Sequence, residues 1–100
     1  MKTYPLLDKE EKLYSFEVGN LILSRRRATR IVESIPGSTV LRKPKWFSFS
    51  NQDIFCEFVI NKVHFLIEEP FGDNSRYWVG KKELGWCPEI EIVEKAFKDA

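Results

Sequence analysis

The sequence of 100 residues lacks most of the features that mark specialised chemistry. Its two cysteines are too few for a disulfide framework and do not have zinc-ligand spacing. The single histidine, His64, would have to serve any histidine-based catalysis or metal site. The sequence motifs of P-loop and dinucleotide-binding proteins, serine hydrolases and zinc proteases are all absent. These absences argue against motif-defined enzyme classes and predict no cofactor and no metal.

Long apolar runs are also absent. No segment approaches the roughly 20 apolar residues that a membrane helix needs, so no membrane partner is expected. The segment 1–12, MKTYPLLDKEEK, lacks the apolar stretch of a secretory signal, which predicts a cytoplasmic location. Hydrophobic residues make up 43% and charged residues 31% of the chain, a balance typical of globular rather than disordered proteins. The length predicts one domain over residues 1–100.

The segment 53–69, DIFCEFVINKVHFLIEE, has the clearest structural pattern in the chain. Apolar residues alternate with others in two runs separated by Asn61-Lys62, which predicts a β-hairpin with a two-residue turn. One face would be wholly apolar, formed by Ile54, Cys56, Phe58, Ile60, Val63, Phe65 and Ile67. The opposite face would be mixed, with Phe55, Glu57, Val59, His64, Leu66 and Glu68. A sheet with one dry side needs other elements packed on that side only.

Two amphipathic helices accompany the predicted strands. The first begins at the N-cap Ser24, ends at Pro36-Gly37 and has an apolar stripe of Ala28, Ile31, Val32 and Ile35. The second begins with Pro88 and has an apolar arc of Ile90, Val93, Ala96, Phe97 and Ala100. Further strands are predicted at 13–18, 39–42 and 76–80. The sequence therefore predicts an α+β fold, with a mostly antiparallel sheet of four to six strands and both helices packed on one face.

Several segments have more than one interpretation. Asp8 and Glu11 fit a capping box and a short helical turn. Gly19-Asn20 either closes a hairpin with residues 21–23 or leads into the first helix. Residues 46–49 would continue the sheet only after a kink at Pro44, and residues 70–75 are dense in turn residues and predict a loop.

The net charge of +1 hides an uneven distribution of charge. Residues 25–45 carry seven basic residues against Glu33 alone, a net of +6. Arg25, Arg26 and Arg27 fall in the opening turn of the first helix, where the helix dipole is already positive. An anion bound at that turn would relieve the repulsion, and Arg30 would add to its binding. The alternative is that the arginines pair with internal acids, such as Glu10, Glu11 or Glu17.

The mixed sheet face is the second candidate site. Phe55, Trp78 and Arg76 would anchor a partner there, because aromatic residues and arginine are enriched in interface centres. The alternative is that the N-terminal segment folds over this face and covers it.

The loop at 69–76 is a third candidate, with Asp73, Asn74 and Arg76, although ordinary turn chemistry accounts for these residues as well.

A basic and aromatic segment suggests nucleic acid as another partner. Arg42, Lys43 and Lys45 adjoin Trp46, which resembles a basic patch with a stacking ring. No sequence motif of a nucleic-acid-binding fold is present, however.

The preferred hypothesis is a small non-enzymatic binding protein that docks an acidic protein surface or self-associates. The alternatives are a nucleic-acid-binding module using residues 25–49 and a small enzyme using His64 or Cys87. Cys87 precedes a predicted helix start, a position that can lower the pKa of a thiol.

Overall fold

A computed structural model describes residues 1–43, 54–69 and 75–100 of the chain. The described part combines six strands with two helices, which confirms the α+β class. The strands are β1 (Thr3–Leu7), β2 (Leu13–Gly19), β3 (Ser38–Arg42), β4 (Ile54–Ile60), β5 (Val63–Glu68) and β6 (Arg76–Lys81), and the helices are α1 (Arg25–Glu33) and α2 (Pro88–Asp99). The strand predicted at 46–49 and residues 70–74 of the predicted loop lie outside the described residues.

The six strands form one sheet in the order β1-β2-β6-β5-β4-β3. Every neighbouring pair is antiparallel, as predicted. The last strand in sequence, β6, lies between β2 and β5 near the middle of the sheet. It therefore joins two pieces that are each contiguous in sequence, the β1–β2 hairpin and the β3–β4–β5 meander.

The predicted central hairpin is confirmed. Ile60 pairs with Val63 across the turn, and the pairing continues from Phe58 to Phe65 and from Cys56 to Ile67. The two turn residues, Asn61 and Lys62, have φ angles of 50° and 67°. Two successive left-handed residues are what a type I′ turn requires, and this turn matches the twist of the flanking strands.

The start of β4 departs from the predicted alternation. Ile54 pairs with Glu68 and Cys56 with Ile67, so Phe55 is an extra residue in the strand, a β-bulge. Phe55 is 3% exposed and makes an edge-to-face contact with Tyr77, with ring centroids 4.9 Å apart. The predictions that Phe55 belongs to the mixed face and Ile54 to the apolar face are therefore wrong, because the bulge exchanges the sides of the two residues.

Helix α1 begins where the sequence predicts. The hydroxyl of Ser24 accepts a hydrogen bond from the backbone N–H of Arg27 at 3.1 Å, as an N-cap residue does. The whole predicted apolar stripe is buried. The helix ends at Glu33, a little before the predicted stop, and Gly37 follows in the left-handed region with φ 82°.

Helix α2 begins as predicted, but the last member of its predicted apolar arc, Ala100, is exposed. Pro88 is its first residue, and Ile90, Val93 and Phe97 are fully buried. Lys98 and Glu94 form an i,i+4 ion pair along the helix, with Nζ 3.3 Å from Oε1.

The core lies between the helices and the sheet. Helix α1 contacts β3 and β4, helix α2 contacts β1 and β2, and the two helices contact each other. Four fully buried phenylalanines are packed in pairs: Phe16 lies edge-on to Phe97 at 5.5 Å, and Phe58 stacks on Phe65 at 5.3 Å. The buried residues of both helices belong to the same hydrophobic cluster as those of the sheet.

The N-terminal segment corrects one prediction. No helical turn forms at Asp8, because residues 3–7 pair with β2 as an edge strand. The carboxylate of Asp8 instead accepts hydrogen bonds from the N–H groups of Glu10 and Lys12, at 2.8 and 3.0 Å, and Glu11 has φ 62°. Asp8 and Glu11 thus belong to the tight β1–β2 turn.

Candidate functional site

The start of α1 lies at one end of the sheet. Gly19, the last residue of β2, pairs with Arg76, the first residue of β6. The N–H of Asn20 then donates to the carbonyl of Ser75 at 3.0 Å. Residues 21–24 lead from this point directly into α1, so they do not close a hairpin with β2.

Arg25 is neutralised from within the protein. Its Nη2 and Nε lie 2.8 and 3.2 Å from Oε1 of Glu69, and its guanidinium lies 4.9 Å from the centre of the Phe55 ring. Internal pairing was one of the two interpretations, but the predicted partners were others. Glu69 is 44 residues away in sequence, and only the fold reveals the contact.

The other three arginines of α1 differ in their exposure, their interactions and their position along the helix. Arg26 is half-buried and also interacts within the protein. Arg27 and Arg30 are exposed, and neither makes an ion pair in residues 1–43, 54–69 and 75–100. The first turn contains no acidic residue, so Arg27 adds charge to the positive end of the helix dipole. Arg30 lies in the last turn of this short helix, where a cation is favourable.

Two apolar residues next to these arginines were missed by the sequence reasoning. Leu21 and Ile22 precede the N-cap and are 96% and 85% exposed. Ile22 and Arg27 line a common groove of about 390 Å³ beside β1. The sequence does hold a signal for them, because both residues precede the N-cap Ser24 and so lie outside the helix whose apolar stripe is buried. Exposed apolar side chains grouped in this way are typical of interaction sites.

Arg76 is occupied by two internal contacts. Its Nη1 lies 3.2 Å from Oε1 of Glu17, one of the acids expected to pair with α1. Its guanidinium also lies 3.6 Å from the centre of the Tyr4 ring, a close cation–π contact. Arg76 is therefore a structural link between β6, β2 and β1 as well as a half-exposed cation.

Trp78 is half-buried beside Arg76. Its indole Nε1–H donates to the hydroxyl of Ser15 at 3.1 Å, and the ring lies close over Gly80. Trp78 pairs with Glu17 on one side and with Glu68 on the other. We call the face that carries these residues, with Tyr4, Leu66 and Glu57, the outer face.

The outer face is a half-buried, mixed surface. Its apolar members Leu66, Val59 and Trp78 are partly exposed, as are Glu57 and Glu68. The alternative that the N-terminal segment folds over this face is wrong, because that segment is β1, an edge strand in the sheet itself.

The basic segment 25–49 is described only in part. Arg42 pairs with Glu57 in the ladder and interacts within the protein. Lys43 lies with Nζ 3.6 Å from Oε2 of Glu33. Four predicted site residues lie outside the described part of the chain: Lys45, Trp46, Asp73 and Asn74.

His64 is exposed and lies directly opposite Val59, as predicted. It lines a pocket with Lys62, Lys81 and Lys82 at the end of the sheet away from Arg25.

Both cysteines are buried and unpaired. Burial raises the pKa of the Cys56 thiol to about 11, against an opposing hydrogen bond with Thr29. Burial also raises the pKa of the Cys87 thiol, although a hydrogen bond with the backbone of Ile90 works in the other direction. The expectation that the helix start lowers the pKa of Cys87 is therefore wrong, because desolvation outweighs the backbone contact.

Within the described ranges, no three His, Cys, Asp or Glu side chains are grouped as metal ligands would be. The helices found there are also too short or too polar to span a bilayer. The chain shows no significant match to a known protein family, to a curated protein or to a solved structure.

Proposed function

We propose that this is a non-enzymatic binding protein that docks an acidic surface of a partner protein through residues 21–30, which we call the docking segment. One observation carries the proposal. Arg27 and Arg30 are exposed without an ion pair in the described residues. The highly exposed Leu21 and Ile22 precede the same helix, and Ile22 lines a groove with Arg27. The docking segment thus offers both parts of an interface, apolar anchors and unpaired cations.

The two parts would contribute differently to binding. Fully burying a leucine or isoleucine side chain is worth about 1.5–3 kcal/mol, so Leu21 and Ile22 can supply affinity. Exposed cations add little affinity, but they speed association and select acidic surfaces. An acid placed near Arg27 would also relieve the unfavourable charge at the start of α1.

The outer face is proposed as a secondary contact, for the same partner or for a second copy of the chain. This requires that both helices pack on the opposite face. The single hydrophobic cluster and the contact between α1 and α2 support that arrangement. Trp78 is the best anchor there, whereas Phe55 cannot serve because it is buried.

The alternative functions have less support. Arg42 and Lys43, which the nucleic-acid hypothesis needs, both have partners within the protein. The enzyme hypothesis relies on His64 or Cys87, and burial raises the pKa of the Cys87 thiol, which argues against a reactive cysteine.

Two double variants and a matched control test the proposal. Arg27→Ala/Arg30→Ala removes the cations, and Leu21→Ser/Ile22→Ser removes the apolar anchors. Lys9→Ala/Lys95→Ala removes two exposed cations elsewhere, neither of which forms an ion pair in the described residues. Each immobilised protein is incubated with nuclease-treated lysate, and the captured proteins are identified by mass spectrometry.

We expect the wild type and the control to capture the same acidic proteins, and both docking-segment variants to lose them. Capture that is unchanged in both variants would contradict the proposal. Capture of nucleic acid from a parallel sample of untreated lysate, with no protein captured from the nuclease-treated lysate, would favour the nucleic-acid alternative instead.

A further inference from the structure

A second cationic site lies at the end of the sheet opposite the docking segment. It is a pocket of about 430 Å³ lined by Lys62, Val63, His64, Lys81, Lys82 and Glu83. Pockets of this size accommodate small ligands. Neither Arg27 nor Arg30 lines it, so it is separate from the docking segment.

The backbone holds this pocket in a fixed shape. Lys62 occupies the left-handed second position of the β4–β5 turn, and Lys81 pairs with Phe65 at the end of β6. The N–H of Lys82 donates to the carbonyl of His64 at 2.8 Å. The hairpin turn and the end of β6 therefore cannot separate without breaking the sheet ladder, and the residues that line the pocket are held beside one another.

The charges of the pocket are not balanced internally. Lys62, Lys81 and Lys82 make no ion pair with any acid in the described residues. Glu83 lies at the same pocket and forms no ion pair with them. Glu89 lies near the hairpin turn, where it accepts a hydrogen bond from Asn61 at 3.2 Å. Three lysines and a histidine thus line one concave surface.

We propose that this pocket binds a phosphate group, either free or as the phosphomonoester of a small molecule. A phosphomonoester near neutral pH carries a charge of about −1.5 to −2 and three strong acceptor oxygens, which suit a pocket lined by several lysines. Lysine binds phosphate as a mobile point charge, so the exposed stems of Lys62 and Lys82 can close on it. Val63 and the ring of His64 offer contact area for the rest of an esterified ligand.

The test is a two-dimensional ¹H–¹⁵N NMR titration of the intact chain. Inorganic phosphate and phenyl phosphate are the two probes, and sodium chloride at matched ionic strength is the control. We expect both probes to shift the amide signals of residues 62–64 and 81–83. Tighter binding of phenyl phosphate would assign the site to esterified phosphate, and tighter binding of inorganic phosphate would assign it to the free ion.

Variants that replace a charged side chain by a neutral polar one connect the shifts to the lysines. Lys62→Gln/Lys82→Gln should weaken phosphate binding about tenfold, equivalent to about 1.4 kcal/mol, because two of the lysines that line the pocket lose their charge. Lys82→Gln alone, which leaves the strained turn untouched, should give part of that loss. Lys9→Gln/Lys95→Gln makes the same charge change elsewhere and should leave the affinity unchanged.

Three outcomes would overturn the proposal. The first is the absence of shifts at the pocket, or equal shifts with chloride. The second is an affinity that Lys62→Gln/Lys82→Gln leaves unchanged or that the control lowers equally. The third is a set of shifts centred on residues 21–30 instead.

Discussion

The indole of Trp78 lies so close over Gly80 that a Cβ atom on Gly80 would stand 2.4 Å from the indole Cη2. The same Cβ would be 3.0 Å from Cβ of Ser15, whose hydroxyl accepts the indole hydrogen bond. The absence of a side chain at residue 80 therefore lets Trp78 lie flat on the outer face.

Gly80→Ala should destabilise the protein by about 1–3 kcal/mol, because the indole must move and lose its bond to Ser15. Urea denaturation measures the loss, and tryptophan fluorescence should shift towards that of an exposed indole. Gly19→Ala is the matched control, since the nearest atom to its added Cβ is 4.0 Å away. A loss of the same size in a Trp78→Ala background would contradict this explanation.

The buried thiol of Cys56 should make stability depend on alkaline pH. Its pKa is raised to about 11 from the ordinary 9.0, so the unfolded chain releases this proton first as the pH rises. The free energy of unfolding should therefore fall between about pH 9 and pH 11, by roughly 2–3 kcal/mol from this group. Denaturation of wild type and Cys56→Ala across that range isolates the contribution. Parallel pH profiles for the two proteins would be evidence against it.

Replacing an arginine by glutamate should have opposite effects on stability at the two ends of α1. Arg27→Glu places an acid in the first turn and should raise the free energy of unfolding by about 0.3–1 kcal/mol. Arg30→Glu places an acid in the last turn, next to Glu33, and should lower it by a similar amount. Thermal denaturation at low and high salt measures both effects, which salt should reduce. Changes of the same sign would show that the helix dipole does not determine them.

The ion pair between Arg25 and Glu69 should contribute more to the stability of the protein than the one between Lys43 and Glu33. The first pair is 35% and 24% exposed, while the second is 62% and 41% exposed, so water screens the second more strongly. Glu69→Gln should therefore cost up to about 1 kcal/mol of stability, and Glu33→Gln close to zero. Chemical denaturation of the two variants compares them, and a larger loss for Glu33→Gln would reverse the ranking.

Features encoded over a few residues could be predicted from the sequence. The Asn61-Lys62 turn and the stripe from Ala28 to Ile35 follow from local periodicity and turn chemistry, and both are present. The bulge at Phe55 could not be predicted, because residues 54–56 are all apolar and the period of two has no visible break. Strand β1 could not be predicted either, because it is short and contains Pro5.

The candidate site was less predictable than the fold. The cluster of arginines at the start of α1 is visible in the sequence. Which of them forms an internal ion pair depends on the residues that the tertiary fold brings next to the helix. Arg25 meets Glu69 only because β5 ends beside α1. The exposure of Leu21 and Ile22 depends on the direct connection from β2 to α1. The sequence was equally compatible with a hairpin at this point.

The central position of β6 has a consequence for how the chain is made. Strands β1 to β5 leave the ribosome before residues 76–81, so β2 and β5 have no partner on their inner edges until β6 has been made. Unpaired strand edges favour aggregation, and a nascent chain stalled before residue 76 would present two of them. Completion of the sheet and protection from misassociation therefore depend on the same late segment.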